Sequence, residues 1–159
     1  MFLRKAKNRE LKRWHLYVLG IIALTAIGYR IYSALWPTAT VHIDGQIIKV
    51  QVADTYPRRL QGLSNRDSLG RWGGMLFVFP ERAEQTMVMR DMRFALDMIW
   101  IDGNTIVDMA PNLRPEPGRT EEQLTKYFAR RPATLVLELP AGFIVNSRLR
   151  IGDLIEVVN

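Results

Sequence analysis

Val41-His42-Ile43-Asp44-Gly45-Gln46-Ile47-Ile48-Lys49-Val50-Gln51-Val52 decides the fold class. β-Branched residues crowd both sides of Asp44-Gly45, a dipeptide that accepts left-handed backbone at both centres of a two-residue hairpin turn. The stretch therefore reads as two antiparallel strands. Downstream, Gly74-Met75-Leu76-Phe77-Val78-Phe79 is a continuous apolar run and reads as a buried strand. Further strands are expected at 87–89, 98–101 and 105–109, the last two joined by a second hairpin turn, Asp102-Gly103-Asn104. Residues 134–139 read as a strand stopped by Pro140-Ala141-Gly142, and 154–158 closes the domain. About eight short strands with turn signals between them predict a mainly β, sandwich- or barrel-like domain.

Two short helices are expected within it. One covers 57–61, with Pro57 in its first turn and Gly62 as its cap. The other opens at the capping box Thr120-Glu121-Glu122-Gln123 and runs to Ala129, with Leu124, Tyr127 and Phe128 as its apolar face. Before it, Pro111, Pro115 and Pro117 mark 111–119 as an extended loop, a place where function often resides.

Ahead of the β pattern, residues 14–36 form an apolar run whose one certain charge is Arg30. A spanning helix needs roughly 20 such residues. Trp14 and Tyr17 at one end, and Tyr29, Tyr32 and Trp36 at the other, fit two interfacial aromatic belts. Arg30 reads as a base that snorkels to the interface, or as the partner of an acid on a neighbouring helix. Six bases and one acid, Glu10, occupy residues 1–13. By the positive-inside rule this head stays cytoplasmic and the remainder crosses the inner membrane to the periplasmic side. A retained anchor is expected. The rival is a cleaved signal peptide, for which Ala34-Leu35-Trp36 and Thr38-Ala39-Thr40 are poor cleavage sites. The organisation read from the sequence is a basic head at 1–13, an anchor at 14–36, a linker with the first strand at 37–45, and an exported β domain at 46–159.

The net charge of +6 is misleading. Beyond residue 36, acids and bases are equal in number, so the exported domain is neutral and nucleic acid is not an expected partner. The basic head suits anionic lipid headgroups. The chain has no cysteine, which excludes disulfides, thiolate catalysis, Cys-type zinc sites and a lipid-modified cysteine. Its two histidines are His15, at the membrane, and His42, in a short strand, where a structural role is expected. No metal site and no cofactor are expected.

Taken in order, Val50-Gln51-Val52-Ala53-Asp54-Thr55, Arg59, Gly62-Leu63, Arg66, Gly74 to Phe79, Leu96 to Asp102, Val136 to Gly142 and Ile151-Gly152-Asp153 resemble the bacterial and archaeal domain of unknown function 192 family over roughly 46–159. The resemblance implies a compact, mostly β fold behind a signal or anchor, and carries no activity with it. Members of that family usually have an aromatic pair, then Met-Lys-Asn-Thr, then Pro-Leu-Asp after the strand holding Phe79. Here Val88 stands for the tryptophan, Asp91-Met92 for the Asn-Thr pair and Ala95 for the proline.

That divergent segment supplies the candidate ligand or docking residues: Arg66, Met89, Arg90, Asp91, Met92, Phe94, Asp97 and Trp100. Asp91 and Asp97 are candidates for a carboxylate pair of the kind glycosidases use, or for ion pairs with Arg66, Arg90 and Arg93. Glu138 is an acid inside an apolar strand. It points outward, or is buried and paired with Arg59 or Arg66, and the paired structural role is expected. Met75, Met87, Met89, Met92, Met98 and Met109 cluster in sequence, as core filler or as an adaptable docking face anchored by Met92, Phe94 and Trp100.

Three functions follow as expectations. The first is a non-catalytic accessory subunit whose helix packs in the bilayer against an integral membrane protein complex. The second is a tethered module that binds a small ligand or glycan through 86–97 and 111–119. The third, least favoured, is a carboxylate-pair hydrolase.

Overall fold

The computed structural model describes residues 13–158, including side chains except those of 13 and 32–34. The expected basic head and the ring of Tyr32 lie outside the described residues. The chain forms two compact units, 1–36 and 37–159.

In the first unit, α1 (Arg13–Ala34) is one uninterrupted helix. Its 22 residues rise about 33 Å, enough for a hydrocarbon core of about 30 Å. Leu16, Leu19, Ile21, Ile22, Leu24 and Ile27 are exposed around it, so the surface of this helix is apolar on every side. The indole of Trp14 stacks on His15 at 3.9 Å between ring centres.

In the second unit, β1 (Thr38–Ile43) and β2 (Gln46–Ala53) form the expected hairpin. Ile43 pairs with Gln46, and both turn residues are left-handed, Asp44 at φ 49° and Gly45 at φ 70°. Because β1 belongs to the sheet, the domain begins at 37 and not at 46. The chain then crosses over through α2 (Tyr56–Gln61), which holds Pro57 in its first turn as expected. It returns as β3 (Gly74–Ala83), parallel to β2. After β4 (Thr86–Met87) come β5 (Leu96–Asp102) and β6 (Thr105–Leu113), joined by the second expected hairpin turn. β7 (Tyr127–Phe128), β8 (Ala133–Pro140), α3 (Phe143–Asn146) and β9 (Glu156–Val158) complete the domain.

Seven strands form one sheet in the order β6-β5-β8-β3-β2-β1-β9. The sheet curls into a half-barrel. Its two edges meet where Ile106 N–H donates to Asp153 O at 2.9 Å, Gly152 N–H to Ile106 O at 2.8 Å and Ile155 N–H to Asn104 O at 2.9 Å. Joining the edges removes unpaired strand groups that would template aggregation. Val41, Val50, Leu76, Ile99, Leu137 and Ile155 belong to the core on one face of the sheet.

The strand expected at 87–89 is only Thr86–Met87, paired with Tyr127–Phe128 in a separate two-stranded ribbon. β6 runs on through Pro111 to Leu113, which shortens the expected loop. Proline is tolerated there because β6 is an edge strand. The helix expected over 120–129 does not form: a single 3₁₀ turn, Glu121–Gln123, is followed by extended chain. The capping box itself is made, with Thr120 N–H donating to Gln123 Oε1 at 2.9 Å. Helix growth stops because Thr125 N–H donates to the Glu116 carboxylate at 3.2 Å, and Arg119 donates to Gln123 O at 3.1 Å. The 127–128 pair then joins the ribbon. α3 is a short helix with no sequence expectation behind it.

Candidate functional site

The other face of the sheet is buried too. Across four strands, Gln51, Met75, Glu138 and Met98 stand side by side in register. Opposed residues in a ladder share a face, so Glu138 lies in the middle of the sheet, flanked by two methionines. It is 4% exposed. Gly74 permits this arrangement, because a Cβ there would run into the Glu138 backbone carbonyl.

Two chain segments cover this face, the 56–66 stretch with α2 and the 84–92 excursion. They are stitched together. Ser64 Oγ donates to Arg90 O at 2.8 Å, Asn65 N–H to Asp91 O at 2.8 Å, and Arg90 Nη1 to Leu60 O at 3.1 Å. Asp91 adopts φ 51° to make its turn. Between these segments and the sheet lies a cavity of about 370 Å³. Leu63, Phe77, Phe79, Met87, Val88 and Met92 supply apolar walls, and Tyr56 and Leu60, both half or more exposed, lie toward solvent. Glu138 lines the same space.

The electrostatics of Glu138 are unusual. Burial pushes its carboxyl up to about 8, and the positive charge of Arg66 pulls the other way without prevailing. Its Oε2 has no hydrogen-bond partner among the described residues. At neutral pH it is mostly a neutral acid, able to donate one O–H into the cavity. Arg66 donates to Gln51 Oε1 from beside it. Burial lowers the Arg66 guanidinium, and the Glu138 charge opposes that. Arg59, also lining the cavity, gives Nη1 to Asp54 O and Val78 O at 2.8 Å each and lies 5.5 Å from the Phe79 ring centre. Arg90 forms a two-pronged ion pair with Glu121.

The candidate residues separate on this map. Met92 and Arg90 line the cavity, and Arg66 acts on its acid. Met89 and Trp100 are buried, Trp100 donating its indole N–H to Gln85 O at 3.0 Å, and Phe94 is half-buried. Of the two readings of the methionine cluster, the burial fits core filling. Five of the six clustered methionines are buried, and Met109 is partly buried against the core on the opposite face of the sheet. Asp97 is fully buried, and its oxygens accept from three backbone amides: Asn112 at 2.7 Å, Gly142 at 3.2 Å and Ile144 at 2.7 Å. It ties α3 to the β5–β6 edge, and both of its oxygens are engaged by backbone amides. Asp91 is exposed. Glu138 is buried, as one of the two expectations had it, with the charge of Arg66 acting on it, while its Oε2 has no hydrogen-bond partner among the described residues. Its place inside an apolar strand was the visible signal. Among the described residues no group of three or more His, Cys, Asp or Glu is placed to hold a metal ion.

A half-barrel carrying a lined cavity on its outer layer is the class this domain defines. By sequence the chain belongs to the domain of unknown function 192 family, described as an uncharacterized ACR, whose model matches residues 39–157. A UPF0127 protein of Thermococcus kodakarensis is 29% identical over 111 residues, 68% of this chain and 64% of that protein's length. Among solved structures, a Sinorhizobium meliloti 1021 protein described as a proposed transcription regulator superimposes with TM-score 0.66 at 29% identity, over 77% of this chain and 95% of that one. A protein of unknown function from Novosphingobium aromaticivorans DSM 12444 gives TM-score 0.63 at 25% identity, over 76% and 84%.

Proposed function

We propose that this chain is a single-pass membrane protein, amino terminus in the cytoplasm, whose far-side domain binds a small, largely apolar molecule in the cavity above Glu138. The observation that carries the reading is a buried carboxyl with an unpartnered oxygen in a space of about 370 Å³ walled by Phe77, Phe79, Met87 and Met92. Small-molecule sites combine apolar walls with a few polar groups that set orientation, and this volume falls in their usual range. A neutral acid at the sheet end supplies such a group. Val88 lines the cavity where the resembled family usually has tryptophan, and the smaller side chain leaves room.

The topology rests on the apolar surface of α1 and the six bases before residue 14. A second reading, the accessory subunit of an integral membrane complex, is favoured by that same lipid-sized apolar helix. It no longer has a methionine face to dock with.

The test is calorimetric titration of the full chain in mild detergent with 4-phenylbutyrate and with its amide, against empty micelles. Saturable one-to-one binding of either, weakened by Leu60→Asp at the cavity mouth, supports the reading. Heats equal to the micelle blank for both would sink it.

A further inference from the structure

We infer that the cavity selects a monoanionic ligand, an aryl or alkyl carboxylate, and holds it as a carboxylate paired with the protonated side chain of Glu138. This rests on the reading above and specifies its ligand class. Glu138 is the one acid lining the cavity, while two guanidinium groups, Arg59 and Arg90, line it. Arg90 is matched by Glu121. Arg59 spends Nη1 on two backbone carbonyls, and the nearby carboxylate of Asp54 is taken by Arg58. With Glu138 neutral, the lining is net positive.

The groups facing Glu138 agree. Arg66, from the segment after α2, is the charge that acts on Glu138, while Arg59 of α2 and Arg90 of the 84–92 segment line the same cavity. Its register neighbours on β3 and β5, Met75 and Met98, carry no charge, and Gln51 on β2 is neutral. Asp97 pairs with Leu139, one residue on, and so lies on the opposite face. A cation would meet the guanidinium groups of Arg59 and Arg90 in the lining. A neutral ligand would use the O–H and leave the positive field unused. A carboxylate uses both, through a short charge-assisted O–H···O⁻ bond. No bond to carbon forms or breaks; the proton stays on Glu138 or is shared.

Proton linkage makes this measurable. Only protonated Glu138 donates, so carboxylate affinity falls about tenfold from pH 7 to pH 9, as the acid titrates near 8. The experiment titrates the full chain in detergent with 4-phenylbutyrate, 4-phenylbutyramide and 4-phenylbutylamine at both pH values. The expected result is tightest binding of the carboxylate at pH 7, by about tenfold over the amide, and loss of that preference at pH 9. Glu138→Gln keeps a donor without a titrating proton, so carboxylate binding persists and its pH dependence disappears. Arg59→Gln narrows the carboxylate-over-amide ratio. If the amide or the amine binds at least as well as the carboxylate at pH 7, the ligand class is wrong while the cavity reading stands. A carboxylate affinity equal at the two pH values overturns the role of Glu138. Absence of binding by all three removes both.

Discussion

Gly74 packs so closely on the backbone carbonyl of Glu138 that no Cβ fits between them. This contact brings β3 and β8 together one residue before Met75 pairs with Glu138. Gly74→Ala must therefore push the two strands apart in a layer buried on both faces. A destabilisation of roughly 1–3 kcal/mol is expected, read as a lower midpoint in chemical denaturation. An unchanged midpoint would mean that the strands separate at no cost.

Glu138 imposes a pH dependence on stability. Its folded carboxyl titrates near 8 against an ordinary value of 4.5. Between those values the folded chain holds a proton that the unfolded chain has released. Stability from this group is therefore greatest below about 4.5, declines through the interval and levels off above 8. The slope is about 1.4 kcal/mol per pH unit. Subtracting the Glu138→Gln profile from wild type isolates the effect. A flat difference between pH 5 and pH 8 contradicts the burial account.

Asp97 should behave as a structural anchor. Asp97→Asn replaces one acceptor oxygen by a donor facing backbone N–H groups, and a cost of roughly 1–3 kcal/mol follows. Hydrogen exchange should quicken first at 142–146, where Gly142 and Ile144 bond to different oxygens of Asp97 and one of them loses its acceptor. Ligand binding by the folded fraction should not change. If binding alone is lost, Asp97 belongs to the site after all.

Asp108 governs the acid side. Burial would raise its carboxyl, but the Arg130 side chain and the backbone N–H groups of Arg130 and Met109 outweigh that and hold it low. A depressed carboxylate stabilises the fold at neutral pH, and that contribution is lost as pH falls through its folded value. Arg130→Gln should move the acid-unfolding midpoint to higher pH. A midpoint that stays put would show the backbone donors to be sufficient.

For the anchor, alkaline washing of native membranes should leave the full chain in the pellet, and a chain beginning at Pro37 in the supernatant. Release of the intact chain would replace the anchor with a cleaved or peripheral segment.

Both hairpins were legible because turn chemistry and alternation act between neighbours in sequence. Asp44-Gly45 and Gly103 supply left-handed backbone wherever they occur. The capping box at Thr120 was equally legible and misled, because Glu116 and Arg119 claim the amide and carbonyl that a helix would have used.

The sequence by itself determined most of the strands, the apolar helix, the neutral domain and the family, since each is written in local pattern, composition or ordered motif. Only the tertiary structure decided what Glu138 faces, why Asp97 is spent and where the methionines go. Those answers depend on 56–66 and 84–92 folding over one face of the sheet, and whether a strand acid meets water, a guanidinium or a void is set by chain that lies far from it in sequence.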